Sequence, residues 1–357
     1  MELLLTGEQS MLRDAASTFA QRRGGAHRLR NLKDQENDMD REVLREAADA
    51  GWIAVLVPEK KGGLGLGLTE LCLISEEVGK ALIPEPIGAG AAIATALPSG
   101  SLEAVISGKS ICGLALSETS RAVGDEPPNT IAEHEGTNCI LSGVKMGIPY
   151  ATDADGFLIS AGGTEGPTLA YAERNETEIT TTATVDGGSH GVLALNRTPA
   201  IVISRGNECT ATVALLLDAL HISGAAELLG IMEAAQDLTI EYLKTRQQFD
   251  RPIGSFQALQ HKAVDNLAAI EMCRSLIYQS AGSFDRNGVT PGLASATLSR
   301  AITSALNICK SAVQMHGGIG FTEEHDIGLY LKRALSLSAR YGTAGLHRKR
   351  YAEQAGT

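Results

Sequence analysis

Apolar side chains recur every three or four residues from Glu8 to about Leu97, the spacing that lines one face of an α-helix, and β-branched runs are few there. Between Ile111 and Leu217 the pattern changes. Short alternating or β-branched runs, "ICGLALSE", "TIAEHEGTNCILSG", "ADGFLISA", "ITTTATVD", "AIVISR" and "ATVALLL", are separated by Gly, Pro, Asn and Asp. They predict strands of an antiparallel β-domain. No long helical pattern interrupts them, so a doubly wound parallel sheet is not expected. Beyond Asp218 three helical stripes follow: Leu228, Ile231, Ala235, Leu238 and Tyr242 within 224–246; Phe256, Leu259, Ala263, Leu267, Ile270, Cys273 and Ile277; then Leu298, Ile302, Leu306, Cys309 and Val313. Long striped helices joined by Gly- and Pro-bearing turns predict a bundle. The fold expected is mostly α with a central antiparallel β-domain, divided into an N-terminal helical domain (1–108), a β-domain (109–217) and a C-terminal helical bundle (218–357).

Local punctuation sharpens the N-terminal part. Thr6 with Gln9 three residues on is a capping box that opens the first helix. Gly51 marks a helix end, and Gly62 to Gly67 form a Gly-rich loop. That loop reads as a turn, because a dinucleotide fingerprint follows a buried strand within a βαβ unit and none is predicted here.

Composition narrows the partners. With 31 basic against 42 acidic side chains the formal charge is -11, which argues against nucleic acid. The six cysteines, Cys72, Cys112, Cys139, Cys209, Cys273 and Cys309, lack the paired spacing of a zinc site and the density of a disulfide scaffold, so they read as reduced, buried thiols and no metal site is expected. The apolar run at the N-terminus is too short for a signal peptide core, and no other stretch reads as a membrane span. A cytoplasmic protein with no membrane partner is expected.

The stretch "QMHGGIGFT", 314–322, has two readings that both stay open. Glycine caps an apolar helix and turns the chain, or bare backbone is brought against a ligand. Arg246 at a helix end likewise complements the helix dipole or pairs with an anion.

Two segments carry a family resemblance. "TRQQFDRPIGSFQALQHKAVDN", 245–266, and "QMHGGIGFTEEHDIGLYLKRA", 314–334, resemble the two C-terminal signatures of the acyl-CoA dehydrogenases, and "GWIAVLVPEKKGGLGLGLTEL" resembles that family's N-terminal segment. The resemblance covers nearly the whole chain in order. It implies N-terminal helices, a β-barrel or sandwich and a C-terminal four-helix bundle. It also implies FAD, a dimer or tetramer, and α,β-desaturation of an acyl-CoA substrate. Carried over, the residues that would hold the ADP half of a neighbouring subunit's FAD are Arg246 and Gln257, with Phe249 packing between them, and Gln314 with Gly317 and Gly318. A guanidinium forks onto pyrophosphate oxygens, and glycine-turn amides approach an anion closely.

The departures decide the rest. Desaturation needs a carboxylate to take the α-proton while hydride leaves the β-carbon. Where the family reads tyrosine-glutamate-glycine-threonine, this chain reads Arg340-Tyr341-Gly342-Thr343, and a phenol with a pKa of about 10 is a poor base. The alternative family position falls on Leu220, beside His221. A relocated base would have to be His221, Glu227 or Glu233, each of which also reads as a loop histidine or a solvated helix-face charge. In the β-domain, "LALSETSRAVGDEPP" and "LSGVKMGIPYATDADG" stand where the family packs the flavin ring, with Gly147 and Pro149 at its tryptophan and threonine positions.

The resemblance with these departures implies no catalytic residue in this chain and a division of labour like that of the hetero-oligomeric acyl-CoA dehydrogenases of bacterial steroid side-chain degradation. A second acyl-CoA dehydrogenase-like chain in an α2β2 tetramer is the partner so implied, or otherwise a homo-oligomer. The rivals are a self-sufficient homo-oligomer with a displaced base and a non-enzymatic acyl-CoA-binding relic.

Overall fold

A computed structural model describes residues 5–119, 128–163 and 166–355. Helix α1 (Gly7–Arg23) opens with the expected capping box: the Thr6 hydroxyl accepts from the Gln9 amide, and the Gln9 side-chain oxygen accepts from the Thr6 amide. Helices α2 (Ala26–Asp34), α3 (Arg41–Asp49), α4 (Leu68–Lys80), α5 (Ile87–Ala94) and α6 (Ser99–Ile106) complete the N-terminal part. The 62–67 loop is a turn into α4, whose first amides are held by Glu70 and by Asp285 from the far end of the chain.

The strands are β1 (Cys112–Ala115), β2 (Ile131–Glu135), β3 (Asn138–Pro149), β4 (Gly156–Ala161), β5 (Thr168–Glu173), β6 (Glu178–Ala183) and β7 (Ser189–Arg205). They form one sheet in the order β1-β4-β5-β7-β3-β2, with β6 on β7. Neighbours are antiparallel except β1, which runs parallel to β4. The sheet curls toward closure: the Ala132 amide donates to the Gly162 carbonyl and the Gly162 amide to the Thr130 carbonyl, each at 2.7 Å, which ties β2 to the chain just past β4. Curling of this kind removes an exposed edge. Inside lie Leu141, Ile148, Phe157, Ile159, Leu193 and Leu195, all buried.

The C-terminal bundle consists of α7 (Gly206–Thr245), α8 (Gln257–Asn287), α9 (Leu293–His316), α10 (Ile327–Arg340) and α11 (Ala344–Ala355). Two sequence expectations change here. "ATVALLL" is not a strand but lies in the first turns of α7, which starts directly after β7 at Gly206. A short continuous apolar run fits a buried strand and a buried helix equally, and only its neighbours decide. Second, α7 is long and apolar enough by composition to cross a membrane, contrary to expectation, yet 78% of its most apolar window is buried inside the protein. It is the core helix.

Helix α7 approaches α4 closely because both carry glycine at the crossing. A Cβ on Gly79 would stand 2.0 Å from the Glu227 carbonyl oxygen, and one on Gly230 1.9 Å from that of Glu76. One core therefore joins the N-terminal helices to the bundle, with Leu71, Ile74, Leu228, Leu229, Ile231 and Leu298 at its centre. Each such side chain contributes roughly 1.5–3 kcal/mol by leaving water. All six cysteines are free and buried in these cores.

Candidate functional site

A chamber of about 50 Å³ lies where the three parts of the fold meet. Helix α5 supplies Pro86, Ala89 and Ile93, and β1 supplies Cys112 and Leu114. Its β3 wall is Met146, Gly147 and Pro149; Leu217, Leu220 and His221 come from α7, and Arg340 and Tyr341 from the end of α10. Leu220 and Tyr341, the two positions where the resemblance would place a carboxylate, thus face one cavity from two elements. So do Gly147 and Pro149. No Asp or Glu is among the described residues that line it.

Each polar group here is set by its surroundings. Burial pushes the Tyr341 phenol up to about 12 against the opposing pull of Arg340, so it is protonated across the physiological range. His221 is buried and held neutral, its pKa driven well below the ordinary value by burial and then by the charges of His347 and Arg350. Its ring meets His347 edge-on at 4.8 Å, and its Nδ1 is buried without a partner. Arg340 donates to the Tyr150 hydroxyl at 2.6 Å and lies over that ring, while its Nε is also buried without a partner.

The other two base candidates are elsewhere and are not solvated helix-face charges. Glu227 accepts from Arg333 at 2.7 Å, and Glu233 is bound by Lys80 at 2.8 Å and by Arg274. The reason is packing: α4, α8 and α10 lie against these turns of α7 and bring cations to them. Of the stretch expected to flank a flavin ring, 120–127 lie outside the described residues. In the described part, burial alone would raise Glu118, but Lys145, Thr130 and Asn129 outweigh it and hold the carboxyl at about 2. Lys145 is itself fully buried, 2.7 Å from Glu118, so this carboxylate is spent on structure.

Beyond Leu217 and His221, which belong to both walls, lies a groove of about 590 Å³ bordered by Leu116, Ser160, Val213, Asp218, Arg350 and Glu353. Asp218 has no ion-pair partner among the described residues, and burial raises it to about 6. Sequence reasoning passed over it; an acid inside the apolar run "LLLDALHI" was the available signal.

The residues expected to meet a cofactor gather at one end of the bundle and face outward. Arg246 caps α7, and its carbonyl accepts from Ile253 at 2.8 Å across a tight hairpin that leads into α8, where Gln257 is the first residue. Phe249, at the hairpin tip, is 86% exposed and meets only the edge of the Phe256 ring, at 6.1 Å, among the described residues, rather than packing between Arg246 and Gln257. Tyr242, one turn before Arg246, stacks on His316 at 4.5 Å, which brings the α7 end beside the α9 end and the Gly317 turn. His316, which makes this contact, is a residue the sequence reading did not single out. Gly317 needs its backbone freedom, with φ at +67°, but Gly318 does not: a Cβ there meets nothing within 4 Å. The side chains of Arg246, Gln257 and Gln314 are exposed and unpaired among the described residues.

Comparison with known proteins gives this geometry a family. Residues 6–102 match the acyl-CoA dehydrogenase N-terminal domain and residues 212–356 the acyl-CoA dehydrogenase C-terminal domain. The acyl-CoA dehydrogenase IpdE2 of Mycolicibacterium smegmatis is 29% identical over 333 residues, spanning 92% of this chain and 93% of its own. Among solved structures, the Tcur3481-Tcur3483 steroid ACAD is 30% identical with a TM-score of 0.88 over 98% of each chain. The ChsE4-ChsE5 complex from Mycobacterium tuberculosis is 26% identical with a TM-score of 0.87 over 100% of this chain and 99% of that one. The chain therefore belongs to the acyl-CoA dehydrogenase family, whose members bind FAD.

Proposed function

We propose that this chain is one subunit of a hetero-oligomeric, FAD-dependent acyl-CoA dehydrogenase of α2β2 type, in which it completes a partner chain's FAD site and does not itself take the substrate's proton. The observation that carries this reading is the chamber: both positions available for a carboxylate open into it, and they hold Leu220 and Tyr341. A leucine has no proton to exchange, and a phenol held near 12 does not accept one from carbon at neutral pH.

The outward face supports the other half. When bound, FAD supplies the acceptor for the hydride that leaves the substrate's β-carbon. Arg246 would hold its pyrophosphate, Gln257 and Gln314 would donate to its polar edge, and the Gly317-Gly318 amides would lie along it. Gly318 fits this role on its own evidence, since nothing inside the chain requires it to lack a side chain. Phe249, bare in the single chain, would be covered by the partner. Two relatives, Tcur3481-Tcur3483 and the ChsE4-ChsE5 complex, pair unlike chains, and the first is a steroid enzyme by name. A bulky ring-bearing acyl thioester is the substrate class this reading extends to the complex.

One observation favours a self-sufficient enzyme: Asp218, unpaired and raised to about 6, has the basicity of a working carboxylate and borders the groove next to the chamber. Purification decides between the readings. Expressed alone, the chain is expected to be colourless; with its dehydrogenase-like partner it should carry one FAD per pair of unlike chains. A lone chain that is yellow, and bleached by an acyl-CoA, would overturn the subunit reading and move the chemistry to Asp218.

A further inference from the structure

Arg340 is the unusual cation of this fold. Arg333, on the same helix and more deeply buried than the half-buried Arg340, takes two carboxylates, Asp186 at 3.0 Å and Glu227 at 2.7 Å. Arg340 has no carboxylate at ion-pairing distance among the described residues; Glu227, Asp38 and Asp186, each engaged elsewhere, act on it only at longer range. Among the described residues its side-chain hydrogen bonds go to two phenols, those of Tyr150 and Tyr341, and its Nε has none. Enclosed charges are ordinarily paired, because an unpaired one forfeits hydration with nothing in return. The ring of Tyr150 beneath the guanidinium offsets part of that deficit.

The unpaired side chain lines the chamber, and the rest of the lining fits a negative guest. Among the described residues the lining contains no acid, and Tyr341 and, from α7, His221 line it together with Arg340. Tyr341 is a neutral donor, and His221 keeps a buried nitrogen with no partner. Around them are Ile93, Leu114, Met146, Leu217 and Leu220, which leave no room for a hydrated ion. About 50 Å³ admits a carboxylate group but not a chain, whereas the groove of about 590 Å³ that shares Leu217 and His221 admits a hydrocarbon body.

We infer that the chamber is a carboxylate slot: it seats the acid group of an apolar carboxylic acid against Arg340, with the hydrocarbon directed past Leu217 into the groove. The slot lies in the same chamber on which the subunit reading rests, but it is formed by this chain's own residues and is tested without flavin or activity, so its failure is distinguishable from the failure of that reading.

The test is isothermal titration of the full chain with octanoate, 1-octanol and inorganic phosphate. Octanoate should bind at least tenfold more tightly than octanol, which shares the body but not the charge, and phosphate, which has charge without a body, should bind no better than octanol. Arg340→Gln should erase the difference between octanoate and octanol, and Arg340→Lys should keep part of it. The comparison in the unaltered chain stands even where a variant fails to fold. Equal binding of acid and alcohol, absence of octanoate binding, or phosphate binding as tight as octanoate would each overturn the slot.

Discussion

The ring of Tyr341 rests on the backbone of Gly224: a Cβ built on that glycine would stand 2.8 Å from the tyrosine Cε2. The side chain at the position where the resemblance would place a glutamate is thus packed against a helix that makes room for it. Gly224→Ala should displace a rigid, nearly buried ring and destabilise the chain by about 1–3 kcal/mol. In urea unfolding the double variant Gly224→Ala with Tyr341→Ala should lose less than the sum of the two single changes, because the clash is gone once the ring is removed. Strict additivity would mean that the two residues do not share this space.

Under the subunit reading, supplying a carboxylate at position 341 should not create chemistry. Tyr341→Glu places an acid beside Arg340, but Gly147 and Pro149, which line the same chamber, still stand where the resemblance would pack a flavin ring. The variant chain, purified alone, should remain colourless and leave acyl-CoA unchanged. Flavin uptake after this single change would show that Tyr341 alone had closed the site.

Glycine substitutions separate internal packing from external contact. Gly230→Ala sets a methyl 1.9 Å from the Glu76 carbonyl oxygen, against backbone that cannot rotate away, so the α4–α7 crossing should open and cost about 3 kcal/mol in unfolding free energy. Gly318→Ala meets open space and should change the lone chain's stability by less than about 0.5 kcal/mol. In the flavin-bearing complex the order should reverse in one respect: Gly318→Ala and Arg246→Ala should release FAD faster on dilution than the parent. Unchanged flavin retention in both would remove this face from the FAD site.

How legible these features were follows from what each depends on. Helix stripes, the Thr6 cap and the 62–67 turn rest on neighbours in sequence and could be read directly. The apolar run at 211–217 reads as a strand in the sequence but is helix, because a buried strand and a buried helix share that pattern and the contacts of α7 decide it. The chamber was half legible: Leu220 and Tyr341 stood out against a family pattern, but that they open into one cavity is a property of the fold. Glu227 and Glu233 were misread because their cations, Arg333, Lys80 and Arg274, are distant in sequence. Arg340 and Asp218 escaped notice for the converse reason, since lacking a counter-ion is visible only once every neighbour is placed.

The buried triad of Arg333 gives a pH dependence with a definite sign. Burial alone would raise Asp186, but the adjoining Arg333 and the Thr184 hydroxyl outweigh it and hold the carboxyl at about 2, against an ordinary value of 3.8. A carboxyl depressed by folding stabilises the native state fully above its unfolded pKa, and that contribution is lost as pH falls from about 4 through about 2. The depression corresponds to about 2 kcal/mol at neutral pH. Asp186→Asn should therefore lower the unfolding free energy at pH 7, measured by urea denaturation, by at least that amount relative to the parent, since Arg333 is left with Glu227 alone. Stability measured at successive pH values should fall more steeply for the parent than for the variant between pH 4 and pH 2, so that the two curves converge. Parallel curves across that interval would mean that Asp186 titrates normally and that its contact with Arg333 adds little to the fold.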